Sequence, residues 1–155
     1  MATRSTIAME FADGTVQQIY CHWDGYLSNN GQILLQHYSD PFKVRELIDG
    51  GAVSSLRPEI GTKHAFSQFE AKGQPYDAKL YEDMTTFYAR DRGEDLVKNK
   101  FKDFADYRKN AQSEEYNYIL RRDGNWYVEF YGEFDGLLTK AIMDEQDREA
   151  QEEIA

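Results

Sequence analysis

Val16-Gln17-Gln18-Ile19-Tyr20-Cys21-His22-Trp23-Asp24-Gly25-Tyr26 opens the stretch, ending at Gly51, whose reading decides the fold. Its first eight residues are rich in β-branched and aromatic side chains and read as a strand. Asp13-Gly14, just before it, is the strongest short hairpin signal, and residues 4–11 read as the partner strand. A two-residue turn sets Phe11 opposite Val16, Met9 opposite Gln18 and Ile7 opposite Tyr20. One face then carries Ile7, Met9, Phe11, Val16, Tyr20 and His22, and the other Ala8, Ile19, Cys21 and Trp23. Both faces are partly apolar, so the hairpin is expected to lie centrally, with Trp23 in the core.

Two short helices follow. Ser28-Asn29-Asn30-Gly31 offers N-caps for a helix carrying Ile33, Leu34, Leu35 and Tyr38. Asp40 caps a second, with Pro41 at its first position and Val44, Leu47 and Ile48 on one face, and Gly50-Gly51 stops it.

Periodicity fades over residues 52–83, where Val53 and Leu56 anchor a short strand or turn and Pro58, Gly61, Gly73 and Pro75 punctuate an irregular segment. Residues 84–89 read as a strand, followed by a charged loop, Arg90-Asp91-Arg92-Gly93-Glu94-Asp95. Phe101, Phe104 and Tyr107 suit one aromatic stripe on a short helix. Asp123-Gly124 joins a second hairpin, residues 116–121 and 126–131, with Arg121 expected opposite Trp126. That register makes an apolar face of Ile119, Trp126, Val128 and Phe130, and a tyrosine face of Tyr116, Tyr118, Tyr127 and Tyr131, which serves recognition or lies under a helix layer. A last helix is expected from about Leu137, docked by Leu137, Leu138, Ala141 and Ile142, with residues 144–155 projecting or frayed.

These elements predict one domain, residues 1–155, of the α+β class. The expected form is a two-layer fold with a four- or five-stranded, mainly antiparallel sheet built from two hairpins, short helices and a C-terminal helix. No apolar run approaches the roughly 20 residues of a membrane span. A single cysteine and an N-terminus lacking an apolar stretch point to the cytoplasm. The net charge is −10, of which residues 113–155 carry −8. Such a field repels nucleic-acid backbone and anionic lipid and favours basic partners; its ordinary alternative role is solubility.

Chemistry is sparse. Cys21 and His22 are strand neighbours and point to opposite faces, so they do not form a nucleophile–base pair. His22, Asp24, His37 and His64 have no metal-binding spacing, and no phosphate-loop or dinucleotide glycine pattern occurs. No catalytic residue, metal or cofactor is assigned. The candidate binding residues are Arg90, Asp91, Arg92 and Glu94, whose arginines suit bidentate capture of phosphate or carboxylate, with His22, Asp24 and Tyr26. Asp144, Glu145, Asp147, Glu149, Glu152 and Glu153 form a candidate acidic partner surface.

Arg4-Ser5-Thr6-Ile7-Ala8, Asp13-Gly14-Thr15, Tyr20-Cys21-His22-Trp23-Asp24-Gly25-Tyr26, Asn30-Gly31, His37-Tyr38 and Phe87-Tyr88-Ala89-Arg90-Asp91-Arg92-Gly93-Glu94 resemble a family of small proteins encoded by bacteriophages and prophages. The likeness covers roughly the first two thirds of the chain, most specifically residues 20–26 and 88–94. It carries over no activity and no site residue. It implies a protein acting in the cytoplasm of a host bacterial cell, where small non-structural phage proteins bind and redirect host proteins or blunt host defence. The expected function is therefore a non-enzymatic accessory protein that binds a host macromolecule with a basic surface. A module for a small anionic ligand, such as a nucleotide signal, is the alternative, and an enzyme the second.

Overall fold

The computed structural model describes residues 2–67 and 78–154, so the expected breaks at Gly73 and Pro75 lie outside the described residues. Both hairpins form, and both are shifted by one residue from the expected pairing. β1 (Ser5–Glu10) pairs antiparallel with β2 (Val16–Cys21), setting Glu10 opposite Val16 and Ile7 opposite Ile19. The loop has three residues, not two. Phe11 N donates to Thr15 O, and Gly14 takes the left-handed conformation at φ +90°. Asp13 selects this form by accepting from the Thr15 amide at 3.0 Å and the Thr15 hydroxyl at 2.6 Å. The second turn repeats the first: Arg121 N donates to Asn125 O, Asp123 accepts from the Asn125 amide, and Gly124 has φ +84°.

One residue of slip moves every side chain of a strand relative to its partner. Ile7 and Met9 therefore join Ile19 and Cys21 in one core, while Ala8 joins Val16 in another. In the second hairpin, β6 (Tyr116–Leu120) and β7 (Trp126–Phe130) set Tyr118 opposite Val128 and Leu120 opposite Trp126. The expected tyrosine face is thus divided. Tyr116 and Tyr118 go to the main core with Trp126 and Val128, and Tyr127 goes to the opposite face with Ile119.

The sheet is mixed and eight-stranded, larger than the four or five mainly antiparallel strands expected. β1 lies parallel to β6, with Ile7 opposite Tyr118, and so joins the two hairpins. β3 (Val53–Ser55) and β5 (Asn99–Phe101) share the outer edge of β2 at its two ends. β4 (Thr86–Phe87) borders β3, and β8 (Phe134–Leu137) borders β7. The expected strand over 84–89 shrinks to β4, because Tyr88–Arg92 turns into a short helix, α4. Phe101 belongs to β5, whereas Phe104 and Tyr107 sit on α5 (Phe104–Asn110), which Asp103 caps by accepting from Asp106 N. The three rings still meet, at centroid distances of 5.6 and 5.9 Å.

One face of the sheet is covered by a π-turn (Leu27–Gly31), α1 (Gln32–His37), α2 (Pro41–Asp49) and α6 (Leu138–Ile154). A sixth short helix, α3, spans Ala78–Asp83. Leu34, Val44, Leu47, Ile48, Leu138 and Ala141 fill the helix side of this core. Asp40 caps α2 as expected, accepting from Phe42 N at 2.9 Å. Large polar-tipped rings are buried with their tips satisfied. Tyr118 donates to Gly25 O at 2.6 Å, Trp126 Nε1 to Tyr38 O at 2.9 Å, and Tyr38 to Arg57 O at 2.8 Å. Gly25 is held so close to β1 that a Cβ there would stand 2.6 Å from the Ser5 Cβ. The opposite face carries only the smaller core of Ala8, Val16, Ile119 and Tyr107, with α5 over it. No helix among the described residues is long and apolar enough to cross a membrane.

Candidate functional site

The two stretches 20–26 and 88–94 come together on either side of β3. His22 N donates to Val53 O, and Tyr88 N donates to Ala52 O. On the α4 side the arginines do not form an open anion grip. Arg90 Nε donates to Asp91 Oδ1 at 2.9 Å, Nη1 reaches the carbonyls of Ile60 and Gly61, and Nη2 reaches Thr85 O and Asp91 Oδ2. These contacts match all five N–H groups of a guanidinium, which also lies over the Phe87 ring. The Asp91 side chain is fully buried and also accepts from the backbone amides of Phe87 and His64. The His64 ring lies 3.6 Å from Asp91 Oδ2, and its two nitrogens face the carbonyls of Ala65 and Thr85. Arg90, Asp91 and His64 thus tie the irregular segment after β3 to α4. Arg92 is more open; it lies over the Phe66 ring and pairs with Glu94 at 3.5 Å.

On the β2 side, the Tyr20 hydroxyl lies 2.7 Å from His22 Nδ1, and His22 meets Trp23 edge-on. Trp23 is 43% exposed, not in the core as expected, because the chain leaves β2 at Cys21 and turns at Asp24 with φ +56°. The Asp24 carbonyl accepts from Asn29 Nδ2 and Asn30 N, while the Tyr26 ring is exposed. His37 is on the surface. Cys21 is enclosed, with Asn30 Nδ2 at 3.3 Å from its sulfur, and burial pushes its thiol above the ordinary range. A thiol held protonated in this way is a poor nucleophile. Among the described residues no group of three or more His, Cys, Asp or Glu is arranged to hold a metal ion.

A third arrangement was only half visible in the sequence. In α6, Leu138, Ala141 and Ile142 are buried, but Met143, Asp144, Asp147, Glu149, Glu152 and Glu153 are exposed, with Glu145 half-buried. Glu145 does not stand alone. Tyr116, raised above its ordinary pKa first by burial, is raised further by Glu145 from α6, Glu115 at the start of β6 and Glu133 from the β7–β8 turn. Tyr131 packs against Tyr116 at 5.7 Å, donates to Glu115 Oε2 at 3.1 Å and is 60% exposed. Burial and the neighbouring Glu149 also raise Glu145 above its ordinary value. Carboxylates from three segments thus act on the half-buried Tyr116, and two of them, Glu115 and Glu133, also act on the exposed Tyr131. The sequence offers Tyr116 and Tyr131 as part of a recognition face but gives no sign of Glu115 and Glu133, since nothing local places them beside these rings.

Comparison with family models, curated proteins and solved structures gives no match to this chain.

Proposed function

We propose that this chain is a non-enzymatic binding protein that engages and modulates a host macromolecule through a basic surface on that partner. The carrying observation is the exposed Tyr131, which donates to Glu115 at 3.1 Å and packs on Tyr116, with Glu133 two residues along and Glu145 acting on Tyr116. An arginine or lysine of a partner meets there a π-face and several carboxylates at once, which suits cation–π and charge-assisted contact. The acidic run to Glu153 extends the same field along α6 and accelerates encounter more than it tightens the final contact. The same field disfavours nucleic-acid backbone and anionic membrane. The bacterial-host setting, and a role in takeover or in blunting defence, rest on the resemblance of residues 20–26 and 88–94 to phage-encoded proteins.

Photo-crosslinking tests this reading. A crosslinker at position 131 or 149 should capture one discrete basic protein from bacterial lysate, and added salt should weaken the capture. A crosslinker at the exposed Phe42, on the α2 surface, serves as control. Equal capture from both surfaces, or none from 131 and 149, rejects the reading.

A further inference from the structure

The sheet face opposite α1, α2 and α6 is only partly covered by α5, which leaves a groove of about 810 Å³ against β6, β7 and β8. That volume lies within the range of small-molecule sites. Two groups in it have hydrogen-bonding capacity that no described residue uses. Arg121 donates through Nε to Glu10 at 3.0 Å, and its guanidinium carbon lies 3.5 Å over the Phe104 ring, with the Tyr127 ring at 5.9 Å. Its Nη1 and Nη2 groups have no acceptor among the described residues, which leave the outer edge of the fork open. Tyr107 lines the groove, and its hydroxyl reaches solvent there with no hydrogen-bond partner among the described residues. The other charged side chains of the wall have partners within the fold. Arg108 pairs with Asp135, and Glu129 accepts from Asn117 Nδ2 at 2.9 Å.

We propose that this groove binds a small anion carrying a flat ring, with the anionic oxygens on the open edge of Arg121 and the ring beside Phe104 and Tyr127. The Nη1–Nη2 edge matches the two oxygens of a carboxylate or a phosphate, and Glu10 and Phe104 hold the guanidinium in one plane beforehand. The Tyr107 hydroxyl supplies a third hydrogen bond within the groove. The arginine end of this site sits at the Asp123-Gly124 turn, at the opposite end of β7 from Tyr131, and does not depend on that tyrosine.

The test is titration of the full chain, followed by amide and arginine Nε NMR signals, with benzoate, adenosine monophosphate and inorganic phosphate. At least one ring-bearing anion should give saturable shifts at Phe104, Tyr107, Arg121 and Tyr127, and which of the two binds better identifies the head group as carboxylate or phosphate. Inorganic phosphate, lacking a ring, should bind at least about tenfold more weakly than the better one. Tyr107→Phe should weaken binding about fivefold, the worth of one hydrogen bond, at unchanged folding stability. Arg121→Lys keeps a charge for Glu10 but loses the fork, and should weaken binding about tenfold or more. No saturable shift from either ring-bearing anion, shifts centred away from the groove, or full affinity in both variants would overturn the proposal. Should Arg121→Lys fail to fold, Tyr107→Phe and Phe104→Leu decide.

Discussion

Arg90 and Arg121 begin from the same design and end differently. Each pairs with a buried carboxylate, Asp91 or Glu10, and each lies over a phenylalanine ring, Phe87 or Phe104. Around Arg90 the chain supplies the carbonyls of Ile60, Gly61 and Thr85, so every donor is used inside the fold. Around Arg121 it supplies only Glu10 and leaves the outer edge facing a groove. A cluster of arginines in the sequence is therefore a weaker sign of a site than the fate of their donors. Arg90 stands in a dense charged run and builds structure, whereas Arg121 sits at the end of a hairpin strand.

Breaking the first half of this contrast should give the largest effect. Asp91→Ala leaves Arg90 without its counter-charge, and leaves Arg90 Nε and the amides of Phe87 and His64 without their acceptor. It should destabilise by about 3–5 kcal/mol in urea unfolding, the usual result of removing one member of a buried pair. A loss below about 1 kcal/mol would make the α4 cluster dispensable to folding and return it to candidacy as a site.

Glu10 sharpens the second half. Burial alone would raise its carboxyl, but the Arg121 side chain and the Arg122 amide outweigh burial and hold it below its ordinary value of 4.5. A lowered folded-state pKa means stabilisation that is present above 4.5 and lost as pH falls through the lowered value. Glu10→Gln should cost about 1.5–3 kcal/mol at neutral pH and flatten the decline of stability in acid. An acid-unfolding curve of unchanged slope would contradict the pairing.

The legible parts of the fold were those set by local chemistry. Asp40-Pro41 announces α2, and Asp13-Gly14 and Asp123-Gly124 announce the two turns. Register was not legible, because the same Asp-Gly pair serves two-residue and three-residue loops, and the acceptor on Asp13 or Asp123 decides between them only after the following residue is placed. The parallel pairing of β1 with β6 joins residues more than a hundred positions apart and leaves no local trace. The same distance hides the groove. Tyr107 reads as part of an aromatic stripe, and nothing nearby reports that Arg121 will stack on its neighbour Phe104. The acidic helix was legible from composition, but its convergence with Glu115, Glu133 and Tyr131 depends on the completed sheet.

Smaller effects refine the contrast. Trp23→Ala should cost no more than about 1 kcal/mol, since the ring is half out of the protein and its main partner is the edge of His22. A loss of several kcal/mol by chemical denaturation would mean that the Tyr20–Trp23 ledge is structural like Arg90. Removing residues 144–155 should change stability least, within about 0.5 kcal/mol, because only one of their described side chains is even half-buried. With the crosslinked partner in hand, the truncated chain should associate more slowly and respond less to salt in stopped flow. Equal rates and equal salt dependence would reduce this end to a solubility tail.

The contrast between the two arginines is tested most directly by NMR of their guanidinium hydrogens in the free protein. The Nη hydrogens of Arg90 should exchange slowly with water and resist rotation about Cζ–Nη, because each is held by a protein acceptor. Those of Arg121 should exchange rapidly while its Nε hydrogen, bound to Glu10, remains protected. Equal protection of both groups, or an open Arg90 beside a closed Arg121, would contradict the division into a structural knot and a presented site.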